Sequence, residues 1–194
     1  MPENAPTPST GPSRRTVLKT TAWALPVVAA AVATPLAAAS LEGDLQLVAR
    51  PGGTTIGAND PGATEAYVLT IPPGFDVNSL GTTQTPAGST LTVRFDSRLF
   101  GGPVVTMDGT SAGQLPPVST GNTTEVTFVL PYGIPSNETN IPILVSFTTT
   151  NNGMWVTDAE PYVVTLVAPS GSNDPNSGNN TFTAAAEYSP VVPI

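Results

Sequence analysis

From Leu41 onward the apolar side chains recur at about every second residue, and Pro, Gly, Asn or Asp interrupts each run before it grows long. A period near two places alternate side chains on opposite faces of an extended strand, whereas a helix needs a period near 3.6. Leu91, Val93 and Phe95 alternate with Thr92, Arg94 and Asp96, which predicts the first three facing a core and the second three facing water. Val126, Phe128 and Leu130 repeat the pattern. Strands are expected over 44–50, 65–71, 90–96, 103–107, 124–130, 141–149, 162–168 and 181–188. The turns between them carry the usual chemistry: glycine supplies positive φ, proline presets φ, and Asn or Asp closes local side-chain turns. Turn signals include Pro51-Gly52-Gly53, Asn59-Asp60-Pro61-Gly62, Pro72-Pro73-Gly74, Asp108-Gly109, Asn151-Asn152-Gly153 and the polar stretch 170–180. No window of ten residues after Ala39 shows a helical stripe. About seven to eight strands joined this way predict an all-β fold, an antiparallel sandwich of immunoglobulin-like type in one domain over 40–194.

Residues 1–39 have a different character. After a Pro/Ser/Thr-rich opening, Ser13-Arg14-Arg15-Thr16-Val17-Leu18-Lys19 resembles the twin-arginine export motif, with Val17 in place of the common Phe as its departure. The Ala-rich run from Thr20 to Ala39 follows, and Ala37-Ala38-Ala39 before Ser40 offers the small residues of a signal-peptidase site. This resemblance implies a disordered or helical signal peptide, export by the twin-arginine translocase, cleavage by signal peptidase after Ala39, and an extracellular or wall-associated address. Twin-arginine export carries proteins that have already folded. A membrane anchor is the rival reading, but Pro26, Pro35 and the abundance of Ala weaken it. The style of the leader resembles those of Gram-positive actinobacteria.

Charge and composition narrow the chemistry after Ser40. Only Arg50, Arg94 and Arg98 remain there against thirteen acidic residues, a net charge of −10, so nucleic acid and anionic lipid are poor partners and no membrane span is expected. Charged residues are 10% of the chain, which leaves Thr, Ser, Asn and Gly to cover the surface. The chain has neither Cys nor His, which removes disulfides, thiolate nucleophiles, Ser–His–Asp triads and the usual zinc ligands. Lys is absent after Lys19, so Schiff bases and Lys–Asn isopeptide cross-links have no amine. Nothing here calls for a cofactor.

At the C-terminal end, Asp174-Pro175-Asn176-Ser177-Gly178-Asn179-Asn180-Thr181 resembles the closing turn and last strand of the Ig-like conserved-repeat domains of bacterial cell-surface proteins. Thr70-Ile71-Pro72-Pro73-Gly74-Phe75 is similar to that family's strand-ending corner. The resemblance implies a sandwich outside the cell and no general enzymatic activity.

Three groups of residues invite a functional reading. Asp174, Asn176, Asn179 and Asn180 present oxygens of the kind calcium prefers, although the loop lacks the acidic ligands of an EF-hand and reads more simply as a structural Asx turn. Trp155, with Tyr132 and Tyr162, offers aromatic faces for sugar stacking, against a plainer role for Trp155 in packing. Asp158 and Glu160 are close in sequence, yet spacing alone does not make a glycosidase pair, and catalysis is not expected. Ser189–Ile194 carries no sorting motif, apolar span or basic tail, so sortase attachment is not expected. The expected function is a non-catalytic binding or structural module meeting protein at the cell surface, with a carbohydrate-binding domain for cell-wall or plant polysaccharide as the alternative.

Overall fold

The computed structural model describes residues 41–58 and 65–190. The export residues Arg14, Arg15, Ala37, Ala39 and Ser40, the turn at 59–62 and the tail at 191–194 lie outside the described residues. The strands are β1 (Leu41–Glu42), β2 (Leu45–Ala49), β3 (Thr54–Ala58), β4 (Glu65–Ile71), β5 (Gly74–Ser79), β6 (Thr90–Asp96), β7 (Pro103–Met107), β8 (Thr110–Ser111), β9 (Gly113–Gln114), β10 (Val118–Thr120), β11 (Thr123–Val129), β12 (Ile141–Phe147), β13 (Tyr162–Val167), β14 (Ser172–Asn173), β15 (Thr181–Ala184) and β16 (Glu187–Pro190). One 3-10 turn, η1, spans Ser177–Asn180.

The fold is an all-β antiparallel sandwich. One sheet runs β2-β5-β12-β7-β8 and the other β10-β11-β6-β13-β15, with β9 also on β11. Leu91, Val93, Phe95, Val126, Phe128, Val164 and Leu166 from the second sheet join Leu45, Leu47, Phe75, Val77, Val105, Met107, Ile143 and Val145 from the first in a single core. Each such side chain contributes roughly 1.5–3 kcal/mol when fully buried. Edge-on aromatic pairs bridge the two sheets: Phe95 with Phe147 at 5.3 Å, Phe75 with Phe182 at 5.4 Å, and Phe147 with Tyr162 at 6.0 Å. Such pairs are worth about 0.5–1.5 kcal/mol beyond area burial.

A third sheet, β16-β4-β3, adds Tyr67, Leu69, Ile71 and Ile56 to the same core. Two corners make it. After β4 the chain turns at Pro72-Pro73 and enters the five-stranded sheet as β5, and after β15 it bends at Ala185-Ala186 and pairs with β4 as β16. The expected final strand 181–188 is therefore two strands in two sheets. Sandwich corners commonly form where one strand changes sheet. Gly74 is needed at the first corner, because a Cβ there would strike the carbonyl of Ile143 on β12. At Asp108-Gly109, φ values of +46° and +76° close the β7–β8 hairpin as the Asp-Gly pair predicts. Along β11, β9 and β10 form one broken edge: Gly113 and Gln114 pair with it, Leu115 N–H donates to Thr127, Pro116-Pro117 intervenes, and pairing resumes at Val118.

Three further differences from expectation stand out, two of them with a plain physical cause. β3 was not anticipated, because Ile56 is its lone large apolar side chain. β1 and β14 pair in parallel, against the antiparallel rule elsewhere. Asp96 sits on the outward face of β6 by alternation, yet it is wholly buried instead of facing water, because Arg98 and the connection 148–161 cover it.

Candidate functional site

The connection between β12 and β13 is the longest in the described region, and polar contacts fix it along its length. Asn151 Nδ2 donates to the carbonyl of Arg98 at 2.7 Å. Asn152 Oδ1 accepts from Gly57 N–H at 3.0 Å and Gly153 N–H donates back to the Gly57 carbonyl, so this loop covers the outer edge of β3. Tyr67, buried on β4, donates its hydroxyl to the carbonyl of Met154 at 2.5 Å. Burial pushes the Tyr67 phenol up, with Tyr188 and Asp96 adding to the shift. Ala159 N–H donates to the Tyr188 hydroxyl at 2.8 Å.

Asp96 is the anchor of this arrangement. Its Oδ1 accepts from the N–H and Nε of Arg98 at 2.9 and 3.0 Å, and its Oδ2 accepts from Arg98 Nη2 at 2.7 Å and from Glu160 N–H at 3.0 Å. Burial alone would raise the Asp96 carboxyl, but these donors outweigh it and hold the group below its ordinary value. Hydrogen bonding to Asp96 pushes the Arg98 guanidinium up in turn. Arg98 Nη1 also reaches Asp158 Oδ1 at 2.9 Å, and Arg94 lies 3.7 Å from Glu160. Asp158 and Glu160 are thus drawn to different arginines. Only the negative charge two residues before Arg98 hinted at this pair in the sequence, and alternation argued the other way.

The aromatic residues separate. Tyr162 is fully buried among Phe100, Phe147 and Phe182, so it offers no face to a sugar. Tyr132 is half-buried and donates its hydroxyl to the Met107 carbonyl at 3.0 Å. Trp155 is half-buried and lies 6.3 Å from Tyr67, which in turn lies 6.1 Å from Tyr188. Trp155 accordingly packs on Tyr67, a tyrosine other than the two expected. Tyr67 was legible as an inward residue, since Tyr67, Leu69 and Ile71 alternate along β4.

In the segment 172–180, Asp174 Oδ1 accepts from Asn176 N–H at 3.2 Å and Oδ2 from Asn180 Nδ2 at 2.6 Å. The first contact is the expected Asx turn. The structure brings Asp174 and Asn180 together beside a cavity of about 380 Å³ that Ser172 and Ser177 also line, at the end of β13. Asn176 is exposed and Asn179 half-buried.

The outward face of the six-stranded sheet is mixed in character, with Arg94 and exposed Glu125 opposite one another in one row. Thr127, Thr92, Thr165 and Thr181 stand in one row across four strands, with Thr92 and Thr127 hydroxyls 3.0 Å apart and those of Thr165 and Thr181 3.3 Å apart. Exposed Val118 and Val167 flank the row. No protein-family model, no curated protein and no solved structure matches this chain.

Proposed function

We propose that this protein is an exported, Ig-like contact module of the cell surface or extracellular space, acting by binding or structure and not by catalysis. The observation that carries the reading is the threonine row with its flanking valines. It offers hydroxyls and methyl groups in register beside a row that holds Arg94 and Glu125, on a domain whose three arginines are all engaged with acids of the same chain. Such a row meets a partner through many short polar and apolar contacts, as the core of a protein interface does. The twin-arginine leader supports the address, and export through the translocase followed by cleavage after Ala39 is part of the proposal.

Mass spectrometry of culture supernatant and wall fractions tests the address: a chain beginning at Ser40 is expected, and it should disappear when Arg14 and Arg15 are both replaced by Lys. Recovery of the intact chain inside the cell alone would end the reading. Retention on the cell surface should fall when Thr92→Arg places a charge in the centre of the row. The polysaccharide alternative instead predicts retention on purified wall glycan that is lost in Trp155→Ala and indifferent to Thr92→Arg.

A further inference from the structure

Asn152-Gly153 is the only Asn-Gly pair in the chain. The two residues form the centre of a tight turn: Met154 N–H donates to the Asn151 carbonyl at 3.3 Å, and Gly153 has φ +91°, a backbone that glycine supplies at the third turn position. Both residues are exposed to water. Such a pair carries its own chemistry, because Asn Cγ and the next backbone nitrogen close a five-membered ring and glycine has no Cβ to crowd that nitrogen.

Closing the ring needs two freedoms. Asn152 must swing Cγ onto Gly153 N, and that nitrogen must give up its proton. Here both groups are tied to Gly57: Asn152 Oδ1 accepts from Gly57 N–H at 3.0 Å, and Gly153 N–H donates to the Gly57 carbonyl at 2.9 Å. The flanks are fixed as well. Asn151 N–H donates to the Leu99 carbonyl at 2.8 Å, its Nδ2 to the Arg98 carbonyl, and the Met154 carbonyl accepts from the Tyr67 hydroxyl. β3 gains from the same contacts. One side of it pairs with β4, and its outer side meets the turn through the two bonds at Gly57. Thr54-Thr55-Ile56-Gly57-Ala58 carries no charge and no proline, the residues that ordinarily guard an open edge.

We propose that Asn152-Gly153 is a dormant self-modification site, held shut by Gly57, whose conversion to isoaspartate unclasps the outer edge of β3. Gly153 N loses its proton to water or hydroxide and attacks Asn152 Cγ; the Cγ–Nδ2 bond breaks and the nitrogen leaves as ammonia, giving a cyclic imide. Water then opens the imide at one carbonyl or the other, to isoaspartate or to aspartate. Water is the sole co-reactant, and nothing is oxidised or reduced. Isoaspartate routes the main chain through the former side chain and lengthens it by one methylene. With Asn151 and Met154 anchored on either side, that length bulges outward and both bonds at Gly57 are lost. Local opening of the turn sets the pace of the first step, so the site acts as a slow clock on the folded protein.

Peptide mapping of the purified exported chain held at mildly alkaline pH, beside the same chain unfolded in urea at equal pH and temperature, tests the clasp. Conversion at Asn152 is expected to run at least about tenfold more slowly in the folded chain; equal rates overturn the proposal. Amide exchange followed by NMR tests the consequence. In the separated isoaspartate species the Gly57 amide should exchange at least about tenfold faster than in fresh protein. Asn152→Asp, which keeps the backbone length and an acceptor oxygen, should stay within about threefold of fresh protein. Full protection of Gly57 in the isoaspartate species, or an equal loss of it in Asn152→Asp, overturns the proposal.

Discussion

Asp96→Asn isolates the buried charge that anchors the β12–β13 connection. The change keeps the shape of the side chain but turns one acceptor oxygen into a donor. Two of the four hydrogen bonds at Asp96 are lost, and an amide N–H is set against either the two donors of Arg98 at Oδ1 or Arg98 Nη2 and Glu160 N–H at Oδ2. Breaking a buried pair from one side typically costs about 3–5 kcal/mol. Arg98 is about a quarter exposed and retains Asp158, so the lower end applies, roughly 3 kcal/mol. For a domain of this size that corresponds to a fall in Tm of roughly 6–12 °C. Differential scanning calorimetry at neutral pH measures it, and hydrogen exchange should show the loss of protection concentrated in 148–161. The pH dependence gives a second arm. A carboxyl more acidic in the folded state contributes stability that is fully present above its unfolded value near pH 4 and is lost as pH falls through the folded value. The gap between wild type and Asp96→Asn should therefore narrow in acid. A variant within about 2 °C of wild type at pH 7, or a gap that widens in acid, would refute the anchoring role.

Tyr162→Phe should leave stability unchanged or higher. The Tyr162 hydroxyl is buried with no partner and burial pushes its phenol up, so deleting it removes an unsatisfied group worth about 1–3 kcal/mol; a loss above about 1 kcal/mol would reveal a bound partner. Gly74→Ala should destabilise by about 2 kcal/mol or more in urea unfolding, since the added methyl meets β12 backbone at the Pro72-Pro73 corner. A variant with a wild-type midpoint would mean that β5 and β12 separate freely.

Alternation carried the fold a long way. β4, β6 and β7 have the bounds that the sequence predicts, and Leu91, Val93 and Phe95 of β6 with Val126, Phe128 and Leu130 pack inward as expected. It failed where a strand lacks contrast or where something beyond the strand decides. Thr54–Ala58 holds one large apolar residue and follows two glycines, so it reads as loop. Gly74–Ser79 begins directly after Pro72-Pro73 and was hidden within a turn signal. The run Ala184-Ala185-Ala186 has no periodicity with which to mark a bend, so β15 and β16 merged. Asp96 obeys the outward parity of β6 and is nevertheless interior, because burial there depends on a loop more than fifty residues further along. The candidate sites divide the same way. The Asx turn at Asp174 was legible because it is local, whereas the Trp155–Tyr67–Tyr188 cluster depends on chain crossings that no short window contains.

The interruption at Pro116-Pro117 bears on how concentrated such a protein can become before its copies associate. An unbroken strand beside β11 would present a ready template to a second copy, and molecules at high concentration would zip into fibres. Two adjacent prolines leave that strand without two consecutive donors, one of which would face the open margin, so a neighbouring backbone finds no continuous ladder to join. Backbone-to-backbone growth along this margin is thereby interrupted even where copies are close together.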